Sequence, residues 1–161
     1  LFKMKTIQLL TIILFTGVIS VQAQIETATD DHNNGLFYTT KVNGSMLDVQ
    51  DRLVKELKKE KFGVITEIDM DKTLKEKIDV DMLPYKILGV CNPGFAHEAL
   101  QAEPNIGVFL PCKLVLKQLD DNTIEVISVN PQAMMKMLGN EKLNSTATAV
   151  SKKLEKVILG L

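Results

Sequence analysis

The sequence predicts an α+β two-layer sandwich, in which helices cover one face of an antiparallel sheet. Residues 110–119 alternate apolar and polar side chains, which is the period of a half-buried strand. Residues 46–57 and 147–161 carry apolar side chains at helical spacing instead. The segments between these elements are short, and short connections favour antiparallel strands packed under helices. The predicted order is β-α-β(4)-α, with the first and last helices on the same face.

The first half of the domain begins with a strand and a helix. Residues 36–42 are β-branched and aromatic, which favours a strand, and Asn43-Gly44 turns the chain. Ser45, followed by Asp48 three residues later, resembles a capping box and predicts a helix start at Met46. Gly63 is predicted to stop that helix. Further strands are predicted at residues 64–68 and 85–91, with a helical turn at 73–78 between them.

The second half predicts two short helices, a hairpin and a closing helix. Pro93 and Pro131 stand where a helix tolerates proline, near the first turn, and predict helices at 93–102 and 131–138. Residues 110–119 and 123–129 flank the turn Asp120-Asp121-Asn122 and form a hairpin. The last helix carries its apolar stripe on Ala147, Val150, Leu154, Val157, Ile158 and Leu161.

Residues 1–23 are predicted to be a secretory signal peptide. Lys3 and Lys5 precede an apolar run, and Val21-Gln22-Ala23 provides small residues for cleavage after Ala23. The run is shorter than the roughly 20 apolar residues that a spanning helix needs, so no membrane span is expected after its removal. The mature protein is therefore expected in the periplasm or secreted. Residues 24–35 are predicted to be a flexible polar leader, and residues 36–161 a single domain.

Composition excludes two classes of protein. The 161 residues include 19 basic and 20 acidic side chains, a formal net charge of −1, so a strongly basic nucleic-acid binder is excluded. With 9 glycines and 5 prolines, the chain is not a low-complexity or collagen-like sequence. Removal of the signal peptide takes away two lysines and no acid, which leaves a mildly acidic domain.

Two segments stand apart from the scaffold. The first begins at Tyr85 and reads Y-x-I-L-G-x-C-N-P, and a short helix ending in Ala-Leu follows it. The second begins at Glu103 and reads E-P-x-I-G-x-x-L-P-C. In this order and spacing they resemble the domain of unknown function 302 family, and the likeness runs from the first strand to Asn130-Pro131. The resemblance implies a two-layer fold of the TATA-binding-protein type and a homodimer, and it implies no known reaction.

The candidate ligand-binding residues are Tyr85, Cys91, Asn92, Glu103 and Cys112. Strand parity places Tyr85 and Cys91 on one face of their strand, and Cys112 on the apolar face of its own. If these faces coincide, both sulfurs project toward the layer beneath the helices. A thiol beside a carboxyl suits metal binding or nucleophilic chemistry, so Cys91, Cys112 and Glu103 are also the candidate metal ligands.

Less specific readings of the two cysteines remain open. Free cysteine is among the most buried residue types and often fills space in a core. A Cys91–Cys112 disulfide is natural for an exported protein with an even cysteine count. His97, in the third helix, is predicted to face solvent.

A soft metal such as copper is suggested by Met134, Met135 and Met137, because thioethers and thiolates are the ligands that Cu(I) prefers. Helical spacing favours a core role instead, with Met134, Met137 and Leu138 on the inner face of a short helix.

Three functions compete. A binding or accessory module would hold a small ligand or metal at the cysteines. A thiol-dependent enzyme would use Cys91 and Cys112, with Glu103 as general acid or base. A structural domain would carry a Cys91–Cys112 disulfide. The lack of a recognisable base beside either cysteine favours the binding module.

Overall fold

Five antiparallel strands form one sheet in the order β1-β5-β4-β3-β2. The structure is a computed structural model that describes residues 35–161. The predicted signal peptide and all but the last residue of the predicted leader lie outside the described residues. The strands are β1 Phe37–Asn43, β2 Gly63–Asp69, β3 Tyr85–Cys91, β4 Cys112–Asp120 and β5 Thr123–Val129.

The helices follow the predicted order. They are α1 Met46–Lys59, α2 Met70–Ile78, α3 Pro93–Ala102, α4 Pro131–Lys136 and α5 Asn144–Leu159. Two 3-10 helices, Pro104–Phe109 and Glu141–Leu143, follow α3 and α4. The predicted bounds of β3, α3 and β5 are confirmed to the residue. The helical turn predicted at 73–78 is longer, and α4 is two residues shorter than predicted. Among residues 35–161, no helix is long and apolar enough to cross a membrane.

The core lies between one face of the sheet and the helices α1 and α5. Val49, Leu53 and Leu57 of α1 are fully buried, and so is Leu154 of α5. Against them lie the inward side chains of the strands, which alternate with outward ones. These inward side chains are Val42, Leu88, Val90, Leu114, Leu116, Ile124 and Val126. The predicted fold class, a two-layer α+β sandwich, is confirmed.

Helix α1 begins with the predicted Ser45 cap, but a different residue from the predicted one terminates it. The Ser45 hydroxyl oxygen accepts a hydrogen bond from the Asp48 backbone N–H at 3.2 Å and donates one to the Asp48 carboxylate at 2.7 Å. The chain leaves the helix at Lys61, whose φ of 65° is left-handed, and Gly63 is already the first residue of β2. The prediction that Gly63 stops α1 was therefore wrong. Lys61 occupies the backbone conformation for which glycine is usually chosen.

Glu60, at the end of α1, binds two lysines of α5. Its side chain is only 10% exposed, and its carboxylate accepts hydrogen bonds from Lys153 Nζ at 2.7 Å and from Lys156 Nζ. These bonds lower the pKa of Glu60 from its ordinary value of 4.5 to about 2. The ion cluster ties the two core helices together at their surface edge.

Replacing Glu60 by glutamine is expected to remove a stabilising contribution that depends on pH. Because the pKa is lower in the folded chain, the wild-type contribution is complete above pH 4.5 and is lost as the pH falls toward 2. The difference in urea midpoint between wild type and Glu60→Gln should therefore be largest near neutral pH and shrink in acid. Glu76→Gln, at a 74% exposed side chain, is the control. A difference that is constant from pH 7 to pH 3 would contradict this explanation.

Gly89 lies where a neighbouring strand and a proline ring approach β3. A Cβ atom at this position would meet Thr66 Oγ1 at 2.1 Å and Pro111 Cγ at 2.6 Å. Both distances are too short for a real contact, and Pro111 cannot rotate away as a threonine can. Glycine at this position therefore permits the close packing of β2, β3 and the start of β4.

Gly89→Ala is expected to destabilise the fold by about 1–3 kcal/mol, the usual range for overpacking. The control is Gly63→Ala, because a Cβ at Gly63 has nothing within 4 Å. Urea unfolding followed by circular dichroism measures both variants. Equal stabilities for the two variants would show that the Pro111 ring moves aside without cost.

Candidate functional site

An apolar pocket lies between the ends of β3 and β4 and the helices α3, α4 and α5. Its cavity volume is about 70 Å³, and its mouth is open to solvent. This is well below the roughly 300–1,000 Å³ that is typical of sites for drug-sized ligands, so a ligand bound here must be small or must extend into the open mouth. Cys91 and Cys112 both line it, so the structure brings the two predicted cysteines to one site.

The walls of the pocket are almost entirely apolar. Ala99 of α3 and Ala147 of α5 are buried and leave room between the helices, while Met135 of α4 closes one side. The other apolar side chains of the lining are Phe62, Val90, Phe95, Ala96, Ile106, Phe109, Leu110, Val129, Pro131, Met134, Leu143 and Val150. Most of these residues belong to short elements whose contribution to a common cavity no sequence period reveals.

The two cysteines are diagonal neighbours on adjacent strands. Cys112 lies opposite Val90, the residue before Cys91, and both cysteines are free thiols. Cys112 therefore shares the helix-covered face with Val90, and strict alternation turns Cys91 to the other face. The sequence-based expectation that Cys91 and Cys112 project from the same face of the sheet was therefore wrong. Cys91 still borders the pocket, because β3 ends there and the chain turns directly into α3.

Burial keeps both thiols protonated. Burial, with a smaller contribution from the nearby Cys91, raises the pKa of Cys112 to about 11, although Lys113 acts to lower it. Burial also raises the pKa of Cys91. The nucleophile in thiol chemistry is the thiolate, so these pKa shifts do not favour the thiol-dependent enzyme. The disulfide of the structural alternative is not formed in the described residues.

The polar side chains of the lining are already engaged. Asn92 caps α3, since its Oδ1 accepts hydrogen bonds from the backbone N–H of Gly94 at 3.1 Å and of Phe95 at 3.4 Å. Its Nδ2 donates to the Glu60 carbonyl at 3.4 Å. Thr146 Oγ1 donates to Glu98 at 3.2 Å. Asn92 therefore shapes the site by holding α3, and the cysteines are left as its chemically distinctive groups.

Glu103 lies apart from the pocket lining. It ends α3 and caps the following 3-10 helix, where its Oε1 accepts from the Asn105 N–H at 3.1 Å. Its other oxygen, Oε2, accepts from Asn140 Nδ2 at 3.4 Å. Glu103 thus joins the elements beside the pocket, and the structure does not bring it to the thiols.

Tyr85 also lies away from the cysteines along the sheet. It is the first residue of the seven-residue strand β3, and Cys91 is the last, so about 20 Å of strand separates them. Tyr85 pairs with Lys117 of β4. His97 is exposed on α3, as predicted.

The predicted metal ligands do not form a cluster. Within residues 35–161, no three histidine, cysteine, aspartate or glutamate side chains are placed to hold a metal ion, so Cys91, Cys112 and Glu103 are not such a group. The methionines are also arranged differently from the prediction. Met134 and Met135 line the pocket, whereas Met137 is 82% exposed and Leu138 is 40% exposed. The helix α4 ends at Lys136, so the helical spacing does not extend to Met137.

A second asparagine holds the opposite wall. Asn130 caps α4, with its Oδ1 accepting from the backbone N–H of Gln132 at 3.1 Å and from the Ser151 hydroxyl at 2.9 Å. Its Nδ2 donates to the Gly35 carbonyl at 2.8 Å. The two helices that flank the pocket therefore start from the same Asn-Pro sequence, one after β3 and one after β5. The two prolines predicted these helix starts from the sequence, whereas the capping role of the asparagines emerges only in the structure.

Comparisons with known proteins agree with this fold. The crystal structure described as uncharacterized conserved protein DUF302 from Bacillus stearothermophilus is similar, with a TM-score of 0.72 and 32% sequence identity. The match covers 78% of this chain and 97% of that one. A search of the curated proteins finds no significant match. Residues 38–161 match the family model described as domain of unknown function DUF302, and the chain therefore belongs to the DUF302 family.

Proposed function

We propose that this protein is a binding module for a small, uncharged, apolar ligand, which it holds in the pocket lined by Cys91 and Cys112. The observation that carries the proposal is the lining itself. Apolar side chains from the sheet, α3, α4 and α5 surround a cavity of about 70 Å³ that is open at one end. A concave, mostly apolar surface with few polar groups is the usual kind of site for small-molecule binding.

The ligand is expected to be uncharged in its buried part. No Asp, Glu, Lys, Arg or His side chain belongs to the lining. Asn92 and Thr146 already hydrogen bond within the protein, and the thiols are protonated. A charged group buried in such a pocket would have no partner, and burying an unpaired charge costs several kcal/mol or more.

The experiment uses N-phenyl-1-naphthylamine, a neutral apolar dye whose fluorescence rises when it leaves water. Saturable binding with one site per chain is the expected result. Met134→Lys, which places a charge in the lining, should weaken dye binding at least about tenfold, consistent with the cost of an unpaired charge in an apolar site. Met137→Lys is the matched control, because Met137 is 82% exposed outside the pocket.

Two results would overturn the proposal. The first is the absence of saturable dye binding by a wild-type protein that circular dichroism shows to be folded. The second is equal weakening by Met134→Lys and Met137→Lys, which would place the dye elsewhere on the surface.

We also propose that two copies pair through the sheet face opposite α1 and α5. The support is an apolar row that crosses this face, in which Ile68, Ile87, Val115 and Ile127 stand in register on four strands. Ile68 is 43% exposed. Sedimentation equilibrium should give a dimer for the wild type and a monomer for Ile68→Lys. Leu47→Lys is the control and should remain a dimer, because Leu47 is 68% exposed on α1, in the other layer of the fold. A wild-type monomer at high micromolar concentration would contradict the pairing.

Export remains a proposal that rests on the sequence of residues 1–23. Expression of the full chain in a Gram-negative host, followed by fractionation, tests it. The expected product is periplasmic or secreted and begins at Gln24. A full-length product retained in the cytoplasm would contradict it.

A further inference from the structure

Helix α2 and the segment that follows it form a groove that is separate from the apolar pocket. Its cavity volume is about 350 Å³, and none of its lining residues belongs to the pocket lining. This volume lies within the roughly 300–1,000 Å³ that is typical of binding sites. The groove is lined by α2 residues Asp71, Lys72, Lys75 and Glu76 and by Val80, Asp81 and Met82 of the following segment.

The segment after α2 presents a group of apolar side chains to solvent. Within residues 78–83, four large apolar side chains are each at least 41% exposed, namely Ile78, Val80, Met82 and Leu83. Helix α2 itself contains no buried residue. Apolar side chains scattered singly are common on protein surfaces, whereas a contiguous group of them marks an interaction site. The apolar group also extends beyond the groove to Ile78 and Leu83, which suits an extended partner better than a single small molecule.

Ion pairs hold this segment beside α2. Asp79, the residue after α2, has a left-handed φ of 54°. Lys75 Nζ lies 2.7 Å from Asp79 Oδ1 and 2.9 Å from Asp81 Oδ2. The apolar Val80 and Met82 alternate with the two aspartates, and both line the groove. The lysine therefore fixes the charged side chains of the segment and leaves the apolar ones available for contact.

The charges around the groove favour a basic partner. Residues 69–83 contain five carboxylates and three lysines, and each of these lysines already pairs with a carboxylate of the same stretch. The neighbouring pair of Lys86 and Glu67 leaves the balance unchanged. Asp71 pairs with no lysine among residues 35–161, and its Oδ1 accepts a hydrogen bond from the Tyr85 N–H at 3.4 Å. An anionic membrane surface or a second copy of this groove would be repelled.

We propose that the groove docks a segment of a partner protein that carries an apolar side chain flanked by lysine or arginine. The apolar side chain packs against Val80 and Met82, and the flanking cations face Asp71 and Glu76. Apolar anchors placed in a groove supply the affinity in such complexes, and complementary charge selects the partner. This inference goes beyond the proposed function and is independent of it, because the groove and the pocket share no residue.

Isothermal titration calorimetry tests the proposal with an acetylated and amidated peptide that alternates lysine and leucine. The wild-type chain should bind one peptide per chain, and added sodium chloride should weaken the binding. A matched peptide that alternates glutamate and leucine should bind at least about tenfold more weakly, because its charges repel the carboxylates. Met82→Lys should weaken binding of the lysine peptide at least about tenfold, since it replaces an apolar contact by a like charge.

Leu100→Lys is the matched control, because Leu100 of α3 is 42% exposed and Met82 is 41% exposed. It should leave the affinity for the lysine peptide unchanged within about twofold. The proposal would be overturned by a folded wild type that does not bind the lysine peptide, by equal affinity for both peptides, or by equal weakening in Met82→Lys and Leu100→Lys. Binding of anionic vesicles, or self-association, that Met82→Lys abolishes would overturn it as well, by assigning the groove to a different occupant.

Dye binding separates this proposal from the proposed function. Met82→Lys should bind N-phenyl-1-naphthylamine as wild type does, because Met82 does not line the pocket. Loss of peptide binding with retained dye binding supports the groove as a second site. Loss of both in Met82→Lys would show that peptide and dye share one site, which would refute the groove and leave the pocket proposal standing.

Discussion

Replacing Ala99 by phenylalanine is expected to lower the affinity for N-phenyl-1-naphthylamine by at least about 100-fold, because the new ring takes up the space that the ligand needs. Ala99 is a buried residue of α3 with its side chain in the pocket lining. Fluorescence titration of the purified variant measures the affinity. Since the ring enters existing space, the free energy of unfolding should fall by less than about 3 kcal/mol, the upper end of ordinary overpacking.

The control for this variant is His97→Phe, which adds a ring to the exposed face of the same helix. It should leave dye affinity unchanged within about twofold, as is typical of a surface substitution away from a site. A folded Ala99→Phe protein that binds the dye as tightly as wild type would show that the ligand does not occupy the space between α3 and α5. A protein that fails to fold would move the test to Ala147→Phe on the facing helix.

The largest effect on stability is expected from Leu154→Ala in α5. Leu154 is fully buried between α1 and the sheet. Its truncation removes apolar burial and leaves a cavity, which costs about 2–5 kcal/mol. Urea unfolding monitored by circular dichroism gives the difference in free energy.

Leu159→Ala is the matched control on the same helix, because Leu159 is 53% exposed. Its expected cost is below about 0.5 kcal/mol. If both variants cost the same, α5 would not be packed on the sheet by the stripe that contains Leu154, and the layer arrangement would need revision.

The fold could be predicted because its signals are local. The stripe of Val150, Leu154 and Val157 follows the period of a helix, and the alternation of Leu114 and Leu116 with polar neighbours follows that of a strand. Helix starts were equally readable, because Ser45 with Asp48 marks the start of α1 and the prolines at 93 and 131 mark the first turns of α3 and α4, although the asparagine caps were not predicted. The end of α1 was missed since Lys61 adopts a left-handed conformation without the glycine that usually marks it.

The candidate site was only partly predictable, because it depends on how elements meet. Cys91 and Cys112 were recognised from their motifs, and the pairing of β3 with β4 brings them together. Glu103 belongs to the same motifs, yet it caps a 3-10 helix instead of facing the thiols. The contributions of Ala99 and Ala147 follow from the packing of α3 near α5, for which an alanine in a sequence gives no signal.

The two capping asparagines connect the walls of the pocket to the rest of the domain. Asn92 is bonded to the end of α1, and Asn130 is bonded to α5 and to the chain before β1. Both wall helices are thus joined at their first turn to elements outside the pocket, next to the strand ends and the cysteines. A substitution at either asparagine should therefore change the shape of the pocket and the packing of the domain together, so ligand affinity and stability should fall in parallel.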